Sequence, residues 1–347
     1  MALLEVQELH VDYRTRHGPV RAVQGVSFTL QRGEALGIVG ESGCGKTTLL
    51  MAIARLLPDN AHVRAGRVVL EGTDLLSLAP QAMRRLLFRR IGIIFQAAMN
   101  SWNPVYTVGE QIVEALRTHE PRMSRQQARQ EVAELFALVG LPPERMDQYP
   151  HQFSGGMRQR AAIAMALAGR PPLLLADEPT TALDVVVQDR IWRELDRIRT
   201  RLGMAMVYIS HDVAVVAQVS DRMGVMYAGR LVELGRTADV IRTPRHPYTA
   251  GLLASLPALT GPRRPLVTIP GEPPDLLAPP PGCPFHPRCP YADQRCRAEM
   301  PPLVAHGPGQ HQVACWYPLA GQDVREDFAR RAALARHGGL RIGGTGR

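Results

Sequence analysis

Residues 40–48 read Gly40-Glu41-Ser42-Gly43-Cys44-Gly45-Lys46-Thr47-Thr48, and they constrain the fold more than any other stretch of the chain. The run matches the phosphate-binding loop G-x-x-x-x-G-K-[ST], whose glycines let successive backbone N–H groups turn inward around phosphate oxygens. Such a loop needs a buried strand before it and a helix after it, because the helix N-terminus adds partial positive charge. The apolar run Ala35-Leu36-Gly37-Ile38-Val39 supplies that strand. Lys46 is the only lysine; the rest of the 41 Lys+Arg residues are arginine. A compact ammonium fits between β- and γ-phosphates, whereas a planar guanidinium fork is too wide for the same cradle. Thr47 is placed to put its hydroxyl on Mg²⁺. A nucleoside triphosphate with Mg²⁺ is the expected ligand.

At 347 residues the chain has room for about two domains. No apolar run approaches the roughly 18–20 residues of a membrane-spanning helix, and Met1-Ala2-Leu3-Leu4-Glu5 lacks the basic flank of a signal peptide. The expectation is a cytoplasmic protein. The net charge of +9 admits an anionic partner, but the arginines are scattered without interleaved aromatics, so no nucleic acid is expected.

The pattern of elements predicts an α/β fold. Leu9, Val11 and Tyr13 alternate, as do Val26, Phe28 and Leu30, which predicts antiparallel β structure over the first 35 residues. Further buried strands are expected at Ile91–Phe95, Leu173–Ala176 and Met204–Ile209, alternating with helices such as Val186–Leu202. In that helix Val187, Ile191, Leu195, Ile198 and Leu202 mark one face. Alternation of this kind predicts a parallel sheet covered on both faces. Residues 97–165 interrupt it and read as an inserted helical subdomain, with a capping-box-like start at Ser124–Gln127. Past about residue 243 prolines cluster and apolar periodicity fades, which predicts a separate small extension too thin to hold itself. Asp323–His337 reads as one short helix, followed by a flexible tail.

Two further motifs carry chemistry. Leu173-Leu174-Leu175-Ala176-Asp177-Glu178 ends an apolar strand in a carboxylate suited to Mg²⁺, with Glu178 one residue on, where it can polarise an attacking water. Phe153-Ser154-Gly155-Gly156-Met157-Arg158-Gln159-Arg160 opens a helix with a second anion site. This run resembles the signature loop of ABC ATPases, usually L-S-G-G-Q. The resemblance implies that Ser154, Gly155 and Gly156 grip the γ-phosphate of ATP held by the opposite subunit. By the same resemblance Gln96 is the Q-loop glutamine, a nucleotide sensor and Mg²⁺ ligand alongside Thr47 and Asp177. Thr181-Ala182-Leu183-Asp184 is the D-loop, His211 the switch histidine, and Tyr13 the aromatic that stacks on adenine. Lys46, Glu178 and His211 are then the catalytic set, and Cys44 is a tolerated small residue within the loop.

Three features point further into that family: Ser101-Trp102-Asn103-Pro104 with Thr107–Gln111, His246-Pro247-Tyr248-Thr249 with Leu252-Leu253, and four late cysteines. Together they resemble the ATP-binding subunits of oligopeptide/dipeptide importers, specifically the D-type subunit. Departures are Met157 for the usual Gln, Gln152 for Glu, and Trp102 for Leu, the last read as a tailored permease contact. The implied fold is a P-loop (RecA-like) parallel-sheet core with an antiparallel β subdomain, an inserted helical subdomain and a small Cys-rich C-terminal extension. The ATPase domain is assigned to residues 1–245, with its helical subdomain at about 97–165, the extension to 246–320, and the short helix and tail to 321–347. The implied partners are a related ATP-binding subunit forming a heterodimer, two transmembrane permeases and an extracytoplasmic substrate-binding protein. The protein would then sit peripherally on the cytoplasmic face of the membrane.

Cargo is not legible from this chain, and nickel or another small solute is an alternative to peptide. A soluble ABC ATPase acting on nucleic acid or ribosomes is favoured only by the charge of +9, and the paired ATPase domains or coiled-coil arms of such proteins are absent. A metal-sensing regulator would rest on the cysteines alone. Cys283, Cys289, Cys296 and Cys315 crowd together late in the chain, which in a reducing compartment suggests metal before disulfides. They lack the C-x₂₋₄-C knuckle of most zinc sites, while Cys283-Pro284 and Cys289-Pro290 are reminiscent of ferredoxin-like ligation. The spacing leaves Zn²⁺, iron–sulfur and unmetallated thiols open. The importer resemblance implies a [4Fe-4S] cluster.

Overall fold

The computed structural model describes residues 2–96, 98–180, 183–255, 268–306, 311–320 and 324–336. The chain opens with an antiparallel hairpin of β1 (Leu4–Thr15) and β2 (Gly18–Leu30). Next, β3 (Ala35–Val39) runs into the glycine-rich loop and α1 (Lys46–Ala54). β4 (Ala61–Leu70) and β5 (Thr73–Asp74) return to the hairpin, completing a four-stranded sheet in the order β2-β1-β4-β5. α2 (Pro80–Leu86) leads to β6 (Ile91–Ile94). The helical insertion follows as α3 (Val108–His119), α4 (Arg125–Leu138) and α5 (Gly155–Leu167).

The second half alternates β7 (Leu173–Asp177), α6 (Val185–Leu202), β8 (Ala205–Ile209), α7 (Val213–Val219), β9 (Arg222–Tyr227) and β10 (Arg230–Arg236). Strands β9-β3-β8-β7-β6 run parallel to one another. Every residue of β3, β7 and β8 is buried, as the sheet's covered faces require, and their continuous apolar runs reflect it. Successive side chains go to opposite faces. Leu36, Ile38, Leu173, Leu175, Val207 and Ile209 join the core shared with α1 and the antiparallel sheet. Ala35, Val39, Leu174, Ala176, Met206 and Tyr208 join the core shared with the helices and the C-terminal region.

Local chemistry sets the helix limits. Thr107 caps α3 by accepting from the Glu110 N–H, and Ser124 and Gln127 close a reciprocal capping box on α4. On α6 the stripe Ile191, Leu195 and Ile198 is buried as expected, but Trp192 is buried beside it, its indole donating to Thr180 Oγ1 at 3.1 Å. Leu202 instead faces solvent, because the helix terminates at once in Gly203, whose φ of 61° stops it.

The sequence treats residues past about 243 as a separate unit; the structure packs them onto the ATPase sheet. After α8 (Thr237–Arg242) and α9 (Pro247–Ala254) come α10 (Gln294–Ala298) and the short strands β11 (Val304–Ala305) and β12 (Gln312–Val313). β12 pairs antiparallel with β10, so the large sheet is mixed, with eight strands in the order β11-β12-β10-β9-β3-β8-β7-β6. Fully buried Glu233 accepts from the backbone N–H of Arg245 and His246 at 2.7 and 3.0 Å, and its carboxylate meets His311 Nε2 at 2.7 Å. Tyr227, Tyr248 and Phe285 cluster with centroids 4.6 to 5.4 Å apart. The extension therefore completes its core against β9 of the ATPase sheet, Tyr248 of α9 and Phe285 packing on Tyr227. α11 (Val324–Arg336) lays the buried Phe328 on α9, where a Cβ on Gly251 would stand 2.7 Å from its ring. The tail expected beyond it lies outside the described residues, as do 321–323.

Candidate active site

Four strand ends at the carboxyl edge of the parallel sheet bring the predicted residues together, the position where open α/β sheets bind ligands. The loop after β3 forms the cradle. Gly45 has φ 101°, and a Cβ there would stand 2.0 Å from the Ala22 carbonyl oxygen; at Gly40 it would stand 2.2 Å from that of Met226. Only glycine lets this backbone pass so close to β2 and β9. Lys46 is buried, and its ammonium donates to the carbonyls of Gly40 and Glu41 at 2.8 and 2.9 Å, with Cys44 Sγ at 3.7 Å. Burial pushes the Cys44 thiol up, against the pull of Lys46, so it stays protonated and serves as a small filler.

Asp177 ends β7. Its Oδ1 accepts from Thr47 Oγ1 at 3.2 Å, while buried Oδ2 has no hydrogen-bond partner. Burial raises the carboxyl's pKa, opposed by the Thr47 hydrogen bond. A hydroxyl joined to a carboxylate with an unsatisfied buried oxygen is a hard oxygen donor set, and it fits Mg²⁺.

Glu178 follows in a left-handed conformation, φ 43°, with its N–H donating to the Ile209 carbonyl at 3.1 Å. Held there, its Oε2 meets Gln96 Nε2 at 3.4 Å, from just after β6, and His211 Nδ1 at 3.3 Å, from just after β8. Strained backbone of this kind persists where surrounding structure over-determines it, characteristically at reactive sites. The carboxylate thus sits between an amide and an imidazole at the mouth of the cradle, able to accept a proton from a water there.

The cleft is about 450 Å³ and is lined by Tyr13, Ser42, Gly43, Gly45, Lys46, Thr47, Thr48, Gln96, Glu178 and His211, with Val20, Ala22 and Leu276. Tyr13 OH lies 3.1 Å from Thr48 Oγ1, which brings the ring to one wall. Leu276 was not expected here. It arrives from the proline-rich extension, and its carbonyl accepts from the Arg21 N–H at 3.3 Å. No periodicity or motif around it could have indicated that.

Ser154, Gly155, Gly156 and Asp184 are not among the lining residues. Ser154 is exposed and caps α5, accepting from the Met157 N–H at 3.3 Å; Asp184 caps α6, accepting from Val187 N–H at 2.9 Å. Thr181 and Ala182 lie outside the described residues. Trp102, expected as an outward contact, is half-buried with its indole donating to the Arg158 carbonyl on α5 at 3.3 Å. The neighbouring Val105 and Tyr106 are the exposed side chains, at 68% and 56%.

Cys283, Cys289, Cys296 and Cys315 line one small pocket with Phe285 and Trp316. None is in a disulfide. Burial raises all four thiols, Cys315 to about 12, and each of the other three adds to the rise at Cys289. Among the described residues no three His, Cys, Asp or Glu side chains are grouped to hold a metal ion.

The family described as ABC transporter matches residues 23–181, and the oligopeptide/dipeptide transporter C-terminal region matches 232–296. The dipeptide transport ATP-binding protein DppD of Bacillus subtilis is 47% identical over 330 residues, 94% of this chain and 97% of that protein. The oligopeptide transport ATP-binding protein OppD of Salmonella typhimurium is 46% identical over 319 residues, 91% of this chain and 94% of that one. Among solved structures, the dimeric, post-hydrolysis ATP-binding cassette MJ0796 bound to ADP and Pi matches with a TM-score of 0.61 and 27% identity, covering 67% of this chain and 98% of that one.

Proposed function

The chain belongs to the family of ABC transporter ATP-binding proteins, and we propose on that premise that it drives an importer whose cargo is an oligopeptide or dipeptide. It is an ATPase whose hydrolysis is coupled to transport. The observation that carries the residue roles is the meeting of Gln96, Glu178 and His211 over the cradle of Lys46, with Asp177 and Thr47 beneath.

ATP lies with its base against Tyr13 and its phosphates on the N–H groups of residues 40–48, where Lys46 exchanges its carbonyl partners for phosphate oxygens. Thr47, Asp177 and Gln96 would hold Mg²⁺, which when bound neutralises charge on the phosphates. Glu178 takes a proton from the water that attacks the γ-phosphorus, the bond to the ADP oxygen breaks, and His211 contacts the γ-phosphate side. Ser154, Gly155, Gly156 and Asp184 complete the site across a dimer interface, which is supported by their lying outside this chain's own cleft, with Ser154 and Asp184 exposed and Gly155 and Gly156 half-buried. MJ0796 is dimeric in its ADP-bound form.

The proposed partners are a related ATP-binding subunit, two permeases and an extracytoplasmic binding protein, with this chain peripheral on the cytoplasmic face. Among the described residues no helix is long and apolar enough to cross a membrane. The four late thiols are proposed to hold a [4Fe-4S] cluster, supported by their facing a single pocket. Zn²⁺ on the same four thiols is the alternative, and among the described residues no three such side chains are yet grouped around one point for either. Vesicles carrying the assembled importer test the cargo. Peptide is expected to stimulate ATP hydrolysis and accumulate inside, and stimulation by Ni²⁺ alone would overturn the peptide reading.

A further inference from the structure

Arg288 lies in the extension, 247 positions from the phosphate loop, yet its guanidinium reaches Glu41, the loop's second residue. The two form a fork: one terminal nitrogen donates to Glu41 Oε2 at 2.6 Å and the other to Oε1 at 2.9 Å. Two further donors are also used, Nε on the Pro270 carbonyl at 2.8 Å and the first terminal nitrogen on Tyr227 OH at 3.3 Å. The arginine side chain is only 6% exposed. Glu41 is fixed on its other sides as well. Its N–H donates to Tyr248 OH at 2.9 Å, and its carbonyl accepts from the Lys46 ammonium at 2.9 Å.

The electrostatics of this arrangement bear on the ligand. A phosphate loop must receive a polyanion, and a carboxylate on the loop's second residue opposes it unless neutralised locally. A two-point guanidinium pair supplies both charge and direction, which a point charge cannot. It also turns the carboxylate toward the extension while leaving the Glu41 carbonyl on Lys46.

We infer that Arg288 is a positioning residue for the ATP site: by pairing with Glu41 it cancels the loop's one carboxylate and fixes its first turn, making the C-terminal extension part of the nucleotide-binding scaffold. The inference rests on the ATP-site reading of residues 40–48. Removing Arg288 leaves a partly buried, unpaired carboxylate beside the incoming phosphates, a kind of loss that is large for desolvated charge pairs.

The test is equilibrium binding of a fluorescent ATP analogue with Mg²⁺ to the full chain. Arg288→Ala is expected to weaken binding about tenfold or more. Adding Glu41→Gln is expected to restore affinity to within about threefold of a Glu41→Gln baseline, because the opposing charge is gone. Arg288→Gln gives the same pair of measurements if the alanine variant fails to fold. A purely structural arginine would not be rescued by neutralising Glu41, so an unrescued loss overturns the inference. So does affinity within twofold of wild type for the arginine variants. Wild-type chain that binds no analogue would instead overturn the ATP-site reading itself.

Discussion

Lys46 rests with its ammonium on the carbonyls of Gly40 and Glu41 beside Cys44 Sγ, and a planar guanidinium fork does not reproduce that compact point-charge geometry. Lys46→Arg is therefore expected to lower ATP turnover about a hundredfold, the loss of roughly 3 kcal/mol of transition-state contact, despite keeping the charge. Phosphate-release assays at saturating ATP check it, and wild-type turnover would contradict it. Asp177 makes a second case. Burial raises its carboxyl pKa, so whatever stability the protonated form gives the ligand-free chain is present below the unfolded-state pKa and lost as pH rises through the folded one. Asp177→Asn is expected to raise the melting temperature of ligand-free protein at neutral pH and to abolish the further rise on adding Mg-ATP. An unchanged Mg-ATP response in that variant would remove Asp177 from the metal site. At this scale the sequence is legible wherever a motif is local: residues 40–48 and the Asp177-Glu178 pair announce their chemistry within a few positions. Leu276 and Arg288 announce nothing, because each meets its partner across more than half the chain and no short pattern records that.

Elements were legible in proportion to their burial. β3, β7 and β8 are continuous apolar runs because both faces of the sheet are covered, and their limits fall within a residue of expectation. β11 and β12 are two residues each and carry no period, so their annexation to the sheet edge was invisible. The segment between β6 and α3 adds a structural role to the residue read from the resemblance as a permease contact. Trp102 looks like a surface anchor but braces α5 through the Arg158 carbonyl, while Val105 and Tyr106 face outward. Trp102→Ala is accordingly expected to cost about 2 kcal/mol of stability, a partial large-to-small core loss, read by denaturant melts. Tyr106→Ala is expected to leave basal hydrolysis near wild type while uncoupling it from uptake in the assembled importer. Full coupling with Tyr106→Ala would move the permease contact elsewhere.

At the scale of the molecule, the extension and the ATPase sheet share strands, an aromatic cluster and the buried Glu233 hub, so they fold as neighbours. If the four thiols hold a [4Fe-4S] cluster, anaerobically purified protein is expected to be brown with about four iron atoms per chain. Cys296→Ser should bleach it; colourless protein with one zinc would replace the cluster reading. The two halves of the ATP machinery lie apart on one chain: the cradle with Glu178 in the cleft, the Ser154–Gly156 cap outside it, its Ser154 exposed. A second subunit is therefore needed to close each site, and a carboxylate to reopen it by hydrolysis. Glu178→Gln removes the charge that accepts the water's proton and leaves the cradle and the cap intact. The decisive measurement is light scattering coupled to gel filtration of the Glu178→Gln chain, mixed with its partner ATP-binding subunit and Mg-ATP. The expected result is a dimer that persists with ATP still bound. Wild-type hydrolysis and a monomeric mass would contradict it.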